Sequence, residues 1–147
     1  MKKGQAAMEF LMTYGWAILV VLIAIGALAY FGVLSPERFL PEKCVISTGS
    51  GLFCDDYSAS AGSVTLRVKN ILADTVTVSG ITLDVTGETC TAWSGATDIT
   101  PDNYTDFAIT CGTLASGDKV KADVQIDFAK VGGLSKTATG QLVTTTT

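Results

Sequence analysis

Two groups of residues in this chain have types and spacing that suggest chemistry: one carboxylate in an apolar N-terminal segment, and four cysteines in the polar remainder. Glu9 stands at the head of a run from Phe10 to Pro36 that contains no other acidic or basic side chain. An ionised carboxylate is costly inside a bilayer unless a partner neutralises it. Glu9 is therefore expected to find a positive partner, and that partner must come from outside its own segment.

The apolar run is long enough to cross a bilayer as a helix, which needs about 20 apolar residues. Lys2 and Lys3 precede it and indicate a cytoplasmic N-terminus. Three interpretations compete. A cleaved secretory signal peptide usually has a shorter apolar run that ends at a small-residue cleavage site. An uncleaved signal anchor explains length and orientation but leaves Glu9 unexplained. The third interpretation is a leader that is cut before the helix.

The segment Gly4–Phe10, Gly-Gln-Ala-Ala-Met-Glu-Phe, resembles the class III signal peptide of archaeal type IV pilin precursors. The resemblance extends over roughly residues 2–32. In that family a membrane-embedded prepilin peptidase cuts after the glycine, and the glutamate stays on the mature helix. The resemblance therefore implies a cut between Gly4 and Gln5 and an assembly role for Glu9. It also implies that the partners are the peptidase, the membrane assembly machinery and further copies of the chain in a helical homopolymer.

Four segments are expected along the chain: a leader at 1–4, a membrane and filament-core helix at 5–35, a linker at 36–43 and an extracellular domain at 44–147. Pro36 and Pro41 mark the linker, because proline lacks the backbone donor and the residue before it avoids the helical region. Beyond the linker, helical periodicity disappears and Thr, Ser, Val and Gly predominate.

Alternation of apolar and polar residues predicts β-strands in this outer domain. The plainest case is 64–69, where Val64, Leu66 and Val68 share one face. Similar patterns predict strands at 76–85, 119–128 and 135–143, and shorter strands near 44–47, 51–54, 89–93 and 107–111. About seven or eight strands with turn signals predict a two-sheet, immunoglobulin-like sandwich. The fold class is therefore α+β, and the residues after Val143 are expected to fray.

The four cysteines, Cys44, Cys54, Cys90 and Cys111, are an even number, as is typical of an oxidised, exported domain. They lack the close pairs of zinc sites, and the chain contains no histidine, so a metal site is not expected. Their spacing favours Cys44–Cys54 and Cys90–Cys111 among three possible connectivities. Asn103 begins an Asn-Tyr-Thr sequon and is a candidate N-glycosylation site on a surface loop.

The sequence predicts no catalytic, cofactor-binding or metal-binding residue. Without histidine, a serine or cysteine triad of the usual kind cannot be built. Asp55 and Asp56 are expected to form a solvated turn. Asp98, Asp102 and Asp106 are expected in one polar loop, whose oxygen atoms suit calcium although their spacing is not that of an EF-hand.

Charge and resemblance together predict the function class. The formal charge is −4, and removal of Lys2 and Lys3 with a leader changes it to −6, which argues against nucleic acid as a partner. By resemblance, the chain is expected to be a non-enzymatic structural subunit of a surface filament used in adhesion or surface attachment. Its precursor would be anchored in the membrane, and its mature form would lie in the extracellular filament. The alternative is a monomeric, membrane-anchored extracellular binding protein, which needs neither the cut after Gly4 nor Glu9.

Overall fold

A computed structural model of the chain describes residues 2–32 and 39–147. The chain divides into two compact units, Met1–Leu40 and Pro41–Thr147. In the first unit, helix α1 spans Lys2–Tyr30 and is followed by a turn at Phe31 and Gly32. The expected helix end at residue 35 and the junction at Pro36 lie outside the described residues.

The second unit is an antiparallel β-sandwich of eight strands. The strands are β1 (Lys43–Ile46), β2 (Leu52–Ser60), β3 (Ser63–Asn70), β4 (Val76–Val85), β5 (Trp93–Ile99), β6 (Tyr104–Thr110), β7 (Lys119–Lys130) and β8 (Ser135–Thr145). One sheet has the strand order β1-β8-β7-β4-β5, and the other has the order β2-β3-β6. The predicted α+β class, with a long apolar helix followed by a two-sheet sandwich, is confirmed.

The core lies between the two sheets and follows the alternation in the sequence. Val64, Leu66 and Val68 on β3 are fully buried, as predicted, while the residues between them are half-buried on the outer face. Phe107 and Phe128 are the largest buried side chains of the core. Burying a side chain of this kind stabilises the fold by about 1.5–3 kcal/mol. The sandwich therefore forms because alternate residues of its strands are apolar on one face.

The sandwich has two ends, here called the entry end and the far end. The entry end holds Glu42 and Thr145, where the Thr145 backbone N–H donates to the Glu42 carboxylate at 3.1 Å. The chain enters the domain here, at Pro41. The far end holds Asn70, the turn 100–103 and the turn 131–134 between β7 and β8.

One predicted strand is displaced along the chain. The expected strand near 89–93 is replaced by β5, which begins at Trp93, while Cys90 forms only an isolated bridge with Cys111. The residues of β5 do not alternate in polarity, so its own sequence gives little strand signal. It is a strand because its backbone pairs with that of β4, with Ile99 opposite Val76.

The expected turn at Asp55 and Asp56 is also wrong, because both residues lie within β2. The register of β2 against β3 shifts between Cys54 and Asp56. A bulge of this kind inserts one residue into a strand, so two adjacent side chains can both face solvent. Both carboxylates are exposed, as expected of solvated residues, but in a strand and not in a turn.

The C-terminal residues do not fray after Val143. Strand β8 continues to Thr145, and Thr144 and Thr146 are buried. The Thr147 backbone N–H donates to the Ala59 carbonyl at 2.9 Å, and the Thr146 carbonyl accepts from Gly117 N–H at 2.7 Å. These backbone partners from β2 and from the loop before β7 hold the segment in place.

Thr146→Val is expected to raise the free energy of unfolding by about 1 kcal/mol. The buried Thr146 Oγ1 has no hydrogen-bond partner among the described residues, and an unpaired buried hydroxyl costs about 1–3 kcal/mol. Valine keeps the shape and removes the hydroxyl. The matched control is Thr147→Val, which loses the Thr147 Oγ1 bond to the Ala59 carbonyl and should destabilise slightly. Denaturant unfolding measures both, and a destabilised Thr146→Val would contradict the expectation.

Candidate functional site

Helix α1 has no charged side chain from Phe10 onward, and none of its residues Lys2–Tyr30 is buried. Most of its large side chains are more than half exposed, for example Met12 at 81%, Trp16 at 68% and Ile23 at 63%. Its 29 residues correspond to a length of about 44 Å. The helix is therefore long and apolar enough to cross a membrane. Apolar surface of this extent marks a segment that lipid or other protein covers.

Gly4 and Gln5, the predicted cleavage residues, lie in the first turn of α1 and are exposed. A Cβ added at Gly4 would meet no atom within 4 Å. The described fold therefore does not itself require glycine at this position. Any need for a small residue must come from a protein that approaches this backbone, such as the predicted peptidase.

Glu9 lies two turns into the helix and is exposed. Its carboxylate has no hydrogen-bond or ion-pair partner among residues 2–32 and 39–147. At 100° per residue, Thr13 and Trp16 share its face of the helix and carry no charge, while Lys2 lies on that face two turns earlier, about 10 Å away along the helix axis. That the partner of Glu9 comes from outside its own segment stays a prediction.

The face of α1 opposite to Glu9 is a shallow, wholly apolar groove. The rings of Phe10 and Tyr14 contact each other there, with their centroids 4.8 Å apart and their planes tilted by 40°. Ala17, Ile18 and Val21 continue the groove toward the C-terminal half of the helix. This pair of rings and the aliphatic residues after it therefore lie on a different face from Glu9, whose own face also carries the large side chain of Trp16.

Three glycines lie along a third line on the helix surface. Gly4, Gly15 and Gly26 recur every 11 residues, which turns each by only about 20° from the last. A Cβ added at any of them would meet no atom within 4 Å. Small residues allow the backbones of two membrane helices to approach closely. The line is therefore suited to contact with another helix.

The four cysteines form two disulfides, Cys44–Cys54 and Cys90–Cys111, and no free cysteine occurs in 2–32 and 39–147. These are the sequence-local pairs that the spacing favoured. Cys44 on β1 and Cys54 on β2 belong to different sheets, so the first disulfide joins the two layers. The second joins the segment between β4 and β5 to the end of β6. A bridge of this kind stabilises a domain by about 2–4 kcal/mol.

Asn103, the candidate glycosylation residue, is exposed at the far end of the sandwich. It closes the turn between β5 and β6, where its Nδ2 donates to Thr100 Oγ1 at 3.1 Å. Asp102, the residue before it, has a φ of 61°, which is the left-handed conformation of a tight turn. The sequon is thus on an accessible turn, and its modification stays a prediction.

The three aspartates expected in one polar loop, whose oxygen atoms suit calcium, are held apart by separate partners. Asp98 lies in β5 and accepts from Thr77 Oγ1 at 2.6 Å. Asp102 lies in the turn and pairs with Lys69 at 2.9 Å. Asp106 lies in β6 and pairs with Arg67. Within the described ranges no group of three or more acidic, cysteine or histidine side chains could hold a metal ion.

A charged cluster on the outer face of the three-stranded sheet was not predicted. Arg67 donates from Nε and Nη2 to the two oxygens of Asp106, at 2.6 and 2.9 Å, and its guanidinium lies 4.5 Å from the ring centre of Tyr104. The hydrogen bond raises the pKa of Arg67 and lowers the pKa of Asp106. Likewise the bond to Asp102 raises the pKa of Lys69. The alternation in β3 indicated only that Arg67 and Lys69 face outward. Their partners, Asp106 and Asp102, lie far along the chain and could not be identified from the sequence.

An apolar, membrane-capable N-terminal helix followed by a disulfide-bonded β-sandwich is consistent with a pilin-like architecture and with a membrane or extracellular location. Comparison of the chain with models of protein families and with curated proteins finds no match. The function must therefore be argued from the helix, its carboxylate and the domain that follows it.

Proposed function

We propose that this chain is a structural subunit of an archaeal type IV pilus-like surface filament, made as a precursor, cut after Gly4 and assembled through α1. The observation that carries the proposal is an apolar helix with no buried residue and with a carboxylate, Glu9, that has no partner among the described residues. A lone membrane anchor needs the apolar residues but gains nothing from that carboxylate.

Two environments can cover α1 in turn. Before assembly its apolar surface lies in lipid, with Lys2 and Lys3 on the cytoplasmic side. In a filament the same surface packs against the helices of neighbouring copies. The line of Gly4, Gly15 and Gly26 supports this second state, because the last two glycines remain on the helix after the cut and permit close backbone contact.

The cut supplies the missing partner of Glu9. Cleavage after Gly4 creates an ammonium group on Gln5, and this group on a neighbouring copy can pair with the Glu9 carboxylate. A buried ion pair contributes little net stability, but an unpaired buried charge is strongly unfavourable. The pair would therefore select the correct register between copies. It requires that Gln5 does not cyclise to pyroglutamate, which would remove the charge.

The sandwich is the part that faces outward in this proposal. Its two disulfides and the exposed Asn103 sequon suit an oxidising, extracellular setting. We assign it no catalytic role, since the chain has no histidine and the aspartates of the predicted loop are separated by structural partners. Adhesion or attachment to a surface is the role we infer for the assembled filament.

Electron microscopy of surface filaments, followed by mass spectrometry of their subunits, tests the proposal. Filaments should contain this chain with Gln5 as the first residue and with Cys44–Cys54 and Cys90–Cys111 oxidised. A chain found only in the membrane fraction, and absent from purified filaments, would instead favour the monomeric anchored protein.

Gly4→Val is expected to leave the leader attached and to block filament assembly. A branched side chain before the scissile bond would obstruct a peptidase that must approach the backbone closely, whereas the fold has open space at this position. Gly15→Val, which places the same side chain inside the helix, serves as the control and should be cut normally. The measurement is N-terminal mass spectrometry of the membrane protein. Efficient cutting of Gly4→Val at Gln5 would disprove the assigned role of Gly4.

A further inference from the structure

The strand through which the chain enters the sandwich is held weakly. Strand β1 has four residues and forms the edge of the five-stranded sheet, where it pairs with β8 from Lys43–Val143 to Ile46–Gly140. Of its four side chains, Ile46 is buried and Val45 is 53% exposed. A pulling force that reaches the domain from its N-terminal side acts first on this strand.

A disulfide at the second residue of β1 shortens the covalent path into the domain. Cys44 is bonded to Cys54, with Cα atoms 5.9 Å apart, so the segment between them lies off the shortest covalent path into the domain. Cys54 is buried in β2, a nine-residue strand that pairs with β3 from Leu52–Asn70 to Ser60–Ser63. Force on Pro41 thus loads Lys43 and is then passed through the disulfide to the opposite sheet, so the rest of β1 does not have to resist it.

We propose that the Cys44–Cys54 disulfide is a mechanical clamp, which carries tension from the N-terminal segment past β1 into the three-stranded sheet. The proposal does not depend on filament assembly. In a filament and in a lone anchored protein alike, the covalent path from α1 enters the domain at Pro41. When the disulfide is absent, the same tension acts along β1 and withdraws it from β8.

The second disulfide provides a matched comparison. Cys90–Cys111 also joins the two layers of the sandwich, but it connects the segment after β4 to the end of β6. It closes a loop that lies far along the chain from the entry point. Loss of the Cys90–Cys111 disulfide should lower the stability of the domain without placing the tension on β1.

Single-molecule pulling of the full chain in detergent micelles tests the clamp. Handles are attached through Phe39→p-azidophenylalanine, before β1, and Leu134→p-azidophenylalanine, in the turn between β7 and β8; both positions are exposed. Cys44→Ser/Cys54→Ser should show an early extension on the order of 20–30 Å, the release of about nine residues, at a lower force than complete unfolding. The intact protein and Cys90→Ser/Cys111→Ser should unfold without this early step.

A second pair of attachment points tests the clamp in the protein with both disulfides intact, so the result does not depend on the folding of a cysteine variant. When the first handle is moved from Phe39 to the exposed Phe53, beside Cys54, the intact protein should unfold at the same force, because both attachments load Cys54. A clearly lower unfolding force from Phe39 than from Phe53 would overturn the proposal. So would an early step in the intact protein, or an early step of equal size in both double-serine variants.

Discussion

Glu9→Leu is expected to be exported, cut after Gly4 and folded outside the membrane, but to enter filaments poorly or not at all. In the proposed filament, Glu9 pairs with the Gln5 ammonium of a neighbouring copy. Removal of one member of a fully desolvated pair leaves the other charge unpaired, at a cost of about 3–5 kcal/mol. A lone anchor shows the opposite behaviour, because it loses a carboxylate that is unfavourable in lipid and should be unaffected or slightly stabilised.

The control for Glu9→Leu is Thr13→Leu, which makes the same face of the helix more apolar without removing a charge. It should assemble nearly as well as the unaltered chain. The measurement is the subunit content of sheared filaments relative to the membrane content, in cells that carry only the variant. A normal filament yield from Glu9→Leu would remove the main argument for assembly and favour the monomeric, membrane-anchored binding protein.

Asn70→Leu is expected to lower the free energy of unfolding of the sandwich by about 3–5 kcal/mol. Asn70 is fully buried, and its Nδ2 donates to the carbonyls of Asp74 and Ile99 at 2.8 and 2.9 Å. Its Oδ1 accepts from the Leu72 N–H at 2.9 Å. Leucine has a similar volume but satisfies none of these groups, and each group left unpaired costs about 1–3 kcal/mol where water cannot reach it.

The matched control for Asn70→Leu is Asn103→Leu, which removes an exposed amide at the same end of the sandwich. Both variants are prepared as full chains in a host that does not glycosylate, so that loss of the sequon has no separate effect. Asn103→Leu should change stability by less than about 1 kcal/mol. Denaturant unfolding measures both, followed by the change in tryptophan fluorescence that arises when Trp93 loses its contact with Phe107. Equal effects of the two substitutions would show that the buried network is not what stabilises the far end.

Features with a strong local period were predictable. The uncharged run after Glu9 indicates a membrane helix without reference to any partner, and the helix is present from Lys2 to Tyr30. Alternation predicted β3 and β7 because each strand has one face in the core and one face in solvent. The disulfide pairs were favoured by their closeness in sequence, and both local pairs form.

Features that depend on partners distant in sequence were not predictable. Strand β5 is a strand because β4 lies beside it, and the last residues are ordered because Ala59 lies within hydrogen-bond distance. Arg67 and Asp106 meet because β3 and β6 pair with Arg67 opposite Asp106. A sequence pattern shows which way a side chain faces but not which strand will be its neighbour.

The need for glycine at position 140 was likewise not predictable from the sequence. It lies in β8 opposite Ile46 of the paired strand β1, and an added Cβ would overlap the Val45 carbonyl oxygen and come within 3.0 Å of Ile46 Cα. Nothing in the neighbouring sequence marks this glycine, since it reads as one residue of a polar strand. The requirement arises from the approach of a strand that lies far away in the chain.

The amino-acid sequence by itself determined the apolar helix, the isolated carboxylate of Glu9, the alternating strands and the α+β class, because each depends on residue type and on a period within a short segment. Only the tertiary structure decided the strand order, the burial of Asn70, the separate partners of Asp98, Asp102 and Asp106, and the course of the Cys44–Cys54 disulfide between the two sheets. These depend on which segments meet in space, and the energy of packing and hydrogen bonding across the whole core selects that arrangement.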